Sequence, residues 1–241
     1  HPTWGKRKIC YLLVREGSQT NPSAVGRIIS ALIRRGSLSG ARGAAHRAGR
    51  KYRPQRPHAI RLKRGQRLHG KKPGEVIQID HMTVPTPSGP VFKHFNAVCT
   101  VSRWNVAEAF CSASAKTASS FVDKVLQQSP FPIIQIQVDG GSEFMAEFEE
   151  VCHQRGISLA VLAPKSPKLN GHVERINGTW RSDFYELYDL PTTLKELRPL
   201  LDEYTDTYNW DRPHESLGLQ TPQEFLENLG YQVSPFQSHM Y

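Results

Sequence analysis

The chain has 241 residues, 38% of them hydrophobic, and a formal net charge of +9. That is enough for one sizeable domain plus a small module, and four tryptophans add to the available core. No run of about 18 apolar residues occurs, which excludes a transmembrane helix, and the N-terminus shows no signal-peptide pattern.

Cys10, Cys99, Cys111 and Cys152 are scattered without a CxxC pair, so buried structural thiols in a reducing cytoplasm are expected. His1 in place of a methionine points to a piece of a longer protein. The charge is sharply divided. Residues 1–72 contain nineteen Lys/Arg and one acid, Glu16, for +18; residues 73–241 carry −9. A basic arm on an acidic domain predicts a polyanionic partner. With no amphipathic membrane anchor beside the charge run, nucleic acid is preferred to a membrane surface.

Residues 1–36 read as two helices. Trp4, Ile9, Leu12 and Leu13 lie near helical spacing and Gly17 follows as a stop. After a turn at 18–22, Ser23 is the expected N-cap of a second helix built on Ala24, Val25, Ile28, Ile29, Leu32 and Ile33. The pair suggests a helix-turn-helix, with Arg27, Arg34 and Arg35 as DNA contacts from its second helix. A helical hairpin without a DNA role would show the same pattern. Residues 37–73 hold many Gly, Arg and Pro and no acid, which predicts an extended basic linker.

From residue 74 to 228 the texture is that of a folded core. Strands are expected over Val76–Val84, Val91–Ser102, Asn105–Cys111, Ile133–Val138 and Ser158–Ala163. Helices are expected over Thr117–Gln128, Glu143–Arg155, Lys168–Leu187, Thr193–Tyr208 and Thr221–Asn228. The long helix has a buried stripe of Val173, Ile176, Trp180, Phe184 and Leu187. Three strands followed by α-β-α-β-α describe an α/β domain of ribonuclease-H-like order, a mixed sheet flanked by helices. Residues 229–241 form a tail.

Three carboxylates stand out. Asp80 sits inside a strand, where aspartate is disfavoured. Asp139 ends a strand before Gly140-Gly141, where it could serve a turn or a ligand. Glu174 lies on the long helix, sharing a polar face with Asn170, Asn177 and Arg181. It is entered through a basic loop, Pro164-Lys165-Ser166-Pro167-Lys168, and followed by Arg175. Lys165, Lys168, Asn170 and Arg175 are therefore candidate DNA contacts.

The segments Gln78-Ile79-Asp80, Val138-Asp139-Gly140-Gly141-Ser142-Glu143-Phe144 and Ser166–Arg175 resemble the three motifs of the retroviral-integrase and insertion-sequence DDE transposase superfamily. The spacing of Asp139 and Glu174 is similar to that family's, as is the tail Tyr208–Leu217 with Thr221-Pro222. No His/Cys zinc module is found, which favours the bacterial branch. In that branch a further helix-turn-helix is expected ahead of residue 1, and the protein would be cytoplasmic and nucleoid-associated.

The resemblance implies that Asp80, Asp139 and Glu174 are catalytic and hold Mg²⁺, with Mn²⁺ as a substitute. It also implies double-stranded DNA as partner, both transposon ends and target, and a homo-oligomer on that DNA. The implied reaction cleaves transposon ends and joins 3′-hydroxyls to target DNA by two-metal-ion phosphoryl transfer. A catalytically impaired DNA-binding remnant and a ribonuclease-H-like nuclease are the alternatives.

Overall fold

The computed structural model describes residues 5–38, 58–86, 91–163, 169–187 and 189–234. Trp4, Lys165, Lys168 and most of the basic linker lie outside them. The chain divides into two compact units, residues 1–55 and 56–241.

In the first unit, α1 (Lys6–Arg15) and α2 (Pro22–Arg34) pack together and bury Cys10 and Val25. Gly17, at φ 88°, takes the left-handed conformation that ends α1. The N-cap of α2 is Asn21, not Ser23: its Oδ1 accepts from the N–H groups of Ser23 and Ala24 at 3.0 and 2.9 Å. Pro22 has no N–H to satisfy and suits the first helical position, which moves the cap upstream. Arg27, Arg34 and Arg35 are all exposed.

The second unit is built on a six-stranded mixed sheet of order β1-β6-β5-β2-β3-β4. Its strands are β1 (Ala59–Arg61), β2 (Ile77–Val84), β3 (Phe92–Cys99), β4 (Asn105–Phe110), β5 (Gln135–Val138) and β6 (Ser158–Val161). The β2-β3-β4 meander is antiparallel, whereas β2, β5, β6 and β1 run parallel. The parallel strands need crossovers, and α3 (Ala115–Gln128) and α4 (Glu147–Gln154) supply them.

One face of the sheet packs on α3 and α4 through Ile77, Ile79, Phe95, Ile136, Val138, Phe121 and Phe148. The other packs on α5 (Gly171–Trp180) and α6 (Leu194–Asp206) through Met82, Val84, Phe92, Val173, Ile176, Trp180 and Leu197. A last helix, α7 (Pro222–Asn228), starts from a Thr221 capping box. This is the ribonuclease-H-like arrangement.

Four further expectations are corrected. The expected helix over 143–155 is a short 3-10 turn, Ser142–Phe144, then α4, with Ala146 between them at φ 50°. The expected helix over 168–187 becomes a wide π turn at Arg181–Tyr185. The extra residue in that turn rotates the stripe, so Phe184 stays buried while Leu187 is exposed. Cys111 is exposed just beyond β4, whereas the other three thiols are buried. Finally, part of the segment read as linker belongs to the sheet. β1 pairs with β6 in register Ala59↔Leu159, and Leu62 N–H donates to the Val161 carbonyl at 2.9 Å. Leu62 is buried with Ala160 and Leu162, and Leu68 and Leu169 pack against that cluster.

Leu169 enters α5, so the segment after β1 braces the start of that helix. Truncation at Arg56 should leave the melting temperature of the second unit unchanged. Truncation at Pro73 removes β1 and Leu62, at a cost of about 2 kcal/mol for the leucine alone, and should lower the melting temperature by about 5 °C. Calorimetry of the two truncations checks this, and equal melting temperatures would show that β1 does not brace the core.

Candidate active site

Strand alternation decides which way the first two carboxylates face. Ile77 and Ile79 of β2 point into the α3/α4 core, as do Ile136 and Val138 of β5. Gln78 and Asp80 must then face the α5 side, and so must Gln137 and Asp139. Gln78 and Gln137 are register partners on adjacent parallel strands. Each is followed two residues later by an aspartate, so Asp80 and Asp139 leave neighbouring strands at matching heights.

The third element is held by the two glutamines. Gln78 Oε1 accepts from the first-turn N–H groups of His172 and Val173, at 3.0 and 3.2 Å. Gln78 Nε2 and Gln137 Nε2 both donate to the Leu169 carbonyl, at 3.2 and 2.9 Å. Helix N-termini leave N–H groups unsatisfied, and here a strand side chain satisfies two of them. Glu174 is the residue after Val173, still in the first turn, and is exposed.

Asp80 is half-buried, and both its oxygens are occupied on one side. Oδ1 accepts from the His81 N–H at 2.8 Å, and Oδ2 from Asn177 Nδ2 at 3.1 Å. Burial is the main cause that pushes the Asp80 carboxyl up to about 6; the charges of Asp139 and Glu174 push the same way, against the His81 hydrogen bond. Asp139 and Glu174 thus both lie within electrostatic reach of Asp80. Among the described residues, no group of three or more His, Cys, Asp or Glu side chains is close enough to hold a metal ion. The donors fit a hard cation in kind: they are carboxylate oxygens, and each oxygen of Asp80 keeps a lone pair for a further partner.

Asp139 is exposed, and its Oδ1 accepts from the Gly141 N–H at 2.8 Å, so it also serves the turn. Glu143 lies close by, with Oε1 3.2 Å from His81 Nδ1. That imidazole holds the Glu143 carboxyl below its usual range, while burial opposes. His81 stacks on Phe95, with ring centroids 5.1 Å apart.

The shared polar face expected for Asn170, Glu174, Asn177 and Arg181 is split. Asn170 is only 4% exposed and its Oδ1 accepts from Gln137, so it is a structural residue and not a surface DNA contact. Asn177 is buried and linked to Asp80, whereas Arg175 and Arg181 are exposed. Gln78, Gln137 and Asn177 were not read as functional from the sequence. The repeated Gln-x-Asp of residues 78–80 and 137–139 was the available signal.

A family model described as integrase core domain matches residues 70–167, and a second with the same description matches residues 155–222. The chain is 29% identical over 111 residues to an uncharacterized 39.2 kDa protein of insertion element IS476 from Xanthomonas euvesicatoria, covering 44% of this chain and 32% of that protein. It is 23% identical over 224 residues to an uncharacterized 31.7 kDa protein of insertion element IS407 from Burkholderia multivorans, covering 92% of this chain and 75% of that protein. The chain thus spans about a third of the first relative and three quarters of the second.

Among solved structures, the simian T-cell lymphotropic virus intasome in complex with a PP2A regulatory subunit matches with a TM-score of 0.58 at 19% identity. That match covers 92% of this chain and 70% of the other. The HTLV-2 integrase catalytic core domain in complex with magnesium matches with a TM-score of 0.52 at 18% identity, covering 65% of this chain and 99% of the other. At these identities the likeness establishes the fold.

The glutamine clamp makes a specific prediction. Gln78→Leu leaves the His172 and Val173 N–H groups of α5 without their acceptor and the Leu169 carbonyl with Gln137 alone, at a cost of about 1–3 kcal/mol. Hydrogen exchange should speed up selectively in the first turn of α5. Unchanged protection of His172 and Val173 would show that the clamp does not hold the helix.

Proposed function

This chain belongs to the integrase-core family of insertion-sequence transposases, and we propose that it cleaves transposon ends and joins the exposed 3′-hydroxyls to target DNA. Family membership carries the coarser reading, a polynucleotidyl transferase. One observation supports the finer one: the charges of Asp139, at the end of β5, and Glu174, on α5, both act on the half-buried Asp80 carboxyl of β2.

In this reading Asp80, Asp139 and Glu174 would hold divalent metal, Mg²⁺ or Mn²⁺ in its place. Two bound metal ions would neutralise the anionic phosphodiester and favour attack by a hydroxyl. The protein's own groups do the positioning. Gln78 and Gln137 fix the start of α5, Asn177 orients the Asp80 carboxylate, and β2 and the end of β5 carry the two aspartates. The like charges of three carboxylates oppose their convergence, so a cation is the partner that would draw them together. Double-stranded DNA is the substrate, bound by a homo-oligomer, with Arg27, Arg34 and Arg35 of α2 reading the ends and Lys165, Lys168 and Arg175 contacting the backbone. No helix among the described residues is long and apolar enough to cross a membrane.

The test is cleavage and joining of duplex DNA with Mg²⁺ or Mn²⁺. Asp139→Asn should reduce both by at least about a thousandfold, in line with the loss of a charge-stabilising group at a reacting centre. DNA affinity should stay within about twofold. Joining at the wild-type rate would remove Asp139 from the site. Metal-dependent cutting without joining would turn the reading to a nuclease, and binding without either reaction to a DNA-binding remnant.

A further inference from the structure

Beside the first turn of α5, three arginines gather with little acid to balance them. Arg103 sits in the β3–β4 turn at φ 64°, a conformation disfavoured for a side-chain-bearing residue. Its half-buried guanidinium donates to the Thr100 carbonyl and, at 3.1 Å, to Ser216 Oγ, and lies 2.9 Å from His172 Nδ1. Arg175 is three residues beyond His172 on α5, hence on the neighbouring stretch of helix surface. Ser216 belongs to the segment that also carries Arg212 and His214. Arg212 lies over the Tyr208 ring, 5.6 Å from its centroid, and the His214 ring is 5.0 Å from that of Tyr208.

Among the described residues, only Arg212 of the three arginines has a carboxylate at ion-pair distance, Asp183 at 3.5 Å. Asp211 and Glu215 flank the segment in sequence but reach none of them. The surroundings carry the mark of this cationic field. His172 and His214 are both pushed down to about 4, first by burial and then by the arginines. His214 is 9% exposed, and its buried Nε2 has no hydrogen-bond partner among the described residues.

Guanidinium groups held close with one carboxylate among them repel one another, and among the described residues no further carboxylate lies at ion-pair distance to relieve them. Their planar forks match phosphate oxygens. We propose that Arg103, Arg175 and Arg212 form a phosphate-binding patch that grips the backbone of duplex DNA alongside the acidic site. This rests on the polynucleotidyl-transferase reading, and it gives the tail segment 212–216 a direct role in holding substrate. Arg103 anchors the patch through Ser216 and His172, whereas Arg175 and Arg212 present its charge.

The experiment is a salt titration of duplex DNA binding by the full chain and its variants. Arg175→Gln and Arg212→Gln should each lower the slope of log affinity against log salt by about 0.9, one lost phosphate contact apiece. Arg212→Lys keeps the charge and should retain the slope. Asp183→Asn releases Arg212 from its ion pair and should tighten binding, a direction that a purely structural role would not produce. Arg175 is exposed on the helix surface, so its substitution remains informative if changes at Arg212 compromise folding. Slopes and affinities equal to wild type in Arg175→Gln and Arg212→Gln would overturn the patch while leaving the transferase reading intact. Failure of the wild-type chain to bind duplex DNA at all would overturn both.

Discussion

Two glutamine side chains fix the geometry on which the candidate site depends. A helix lying across a sheet can slide or tilt, because apolar packing is not directional. Hydrogen bonds from Gln78 and Gln137 to the entry of α5 remove that freedom, because they tie the helix to two particular strand positions. The same positions are two residues before Asp80 and Asp139, so the helix and both aspartates are placed by one set of contacts. Leu169, whose carbonyl accepts from both glutamines, also packs against the cluster of Leu62 and Leu162. The segment preceding the core therefore reinforces the same point.

From Asp80 a buried chain of amides runs into the domain. Asn177 donates to Asp80, and its own Oδ1 accepts from Asn96 Nδ2 at 2.7 Å. Asn96 Oδ1 accepts from Asn105 Nδ2, and Asn105 Oδ1 accepts from Trp180 Nε1. Asn209 closes the chain by bonding both the N–H and the carbonyl of Asn105, at 2.9 and 2.8 Å. Each of these buried amides is paired, which makes the network rigid and makes each member costly to remove. It also accounts for the tail segment: Asn209 holds the first residue of β4, Asn105, which is linked through Asn96 and Asn177 to Asp80.

Reading the sequence revealed the sheet and singled out the three candidate carboxylates because both leave periodic or chemical marks. Alternating apolar residues marked β2 and β5, and an aspartate inside a strand marked Asp80. Three residues of β1 left no such mark, since a short edge strand in an arginine-rich segment looks like a tether until its partner strand is known. Asn170 and Glu174 fall on one helical face by spacing, yet one is buried and the other exposed. Helical periodicity gives the direction of a side chain but not what covers it, and Gln137 is what covers Asn170. The π turn after Trp180 was equally invisible, and it moved Leu187 out of the expected stripe.

Charge follows the same logic of division. The first 72 residues carry +18 and the remainder −9, so the carboxylates sit in the acidic part of the chain. Within that part, Asp80 faces two like charges in a half-buried setting, and in the proposed reading a divalent cation would relieve that conflict. Carboxyl-carbon NMR titration of Asp80 measures it directly. Without divalent metal the group should titrate near 6 instead of 3.8, and added Mg²⁺ should lower that value because the ion favours the ionised form. An Asp80 carboxyl that titrates near 3.8 and ignores Mg²⁺ would contradict the account.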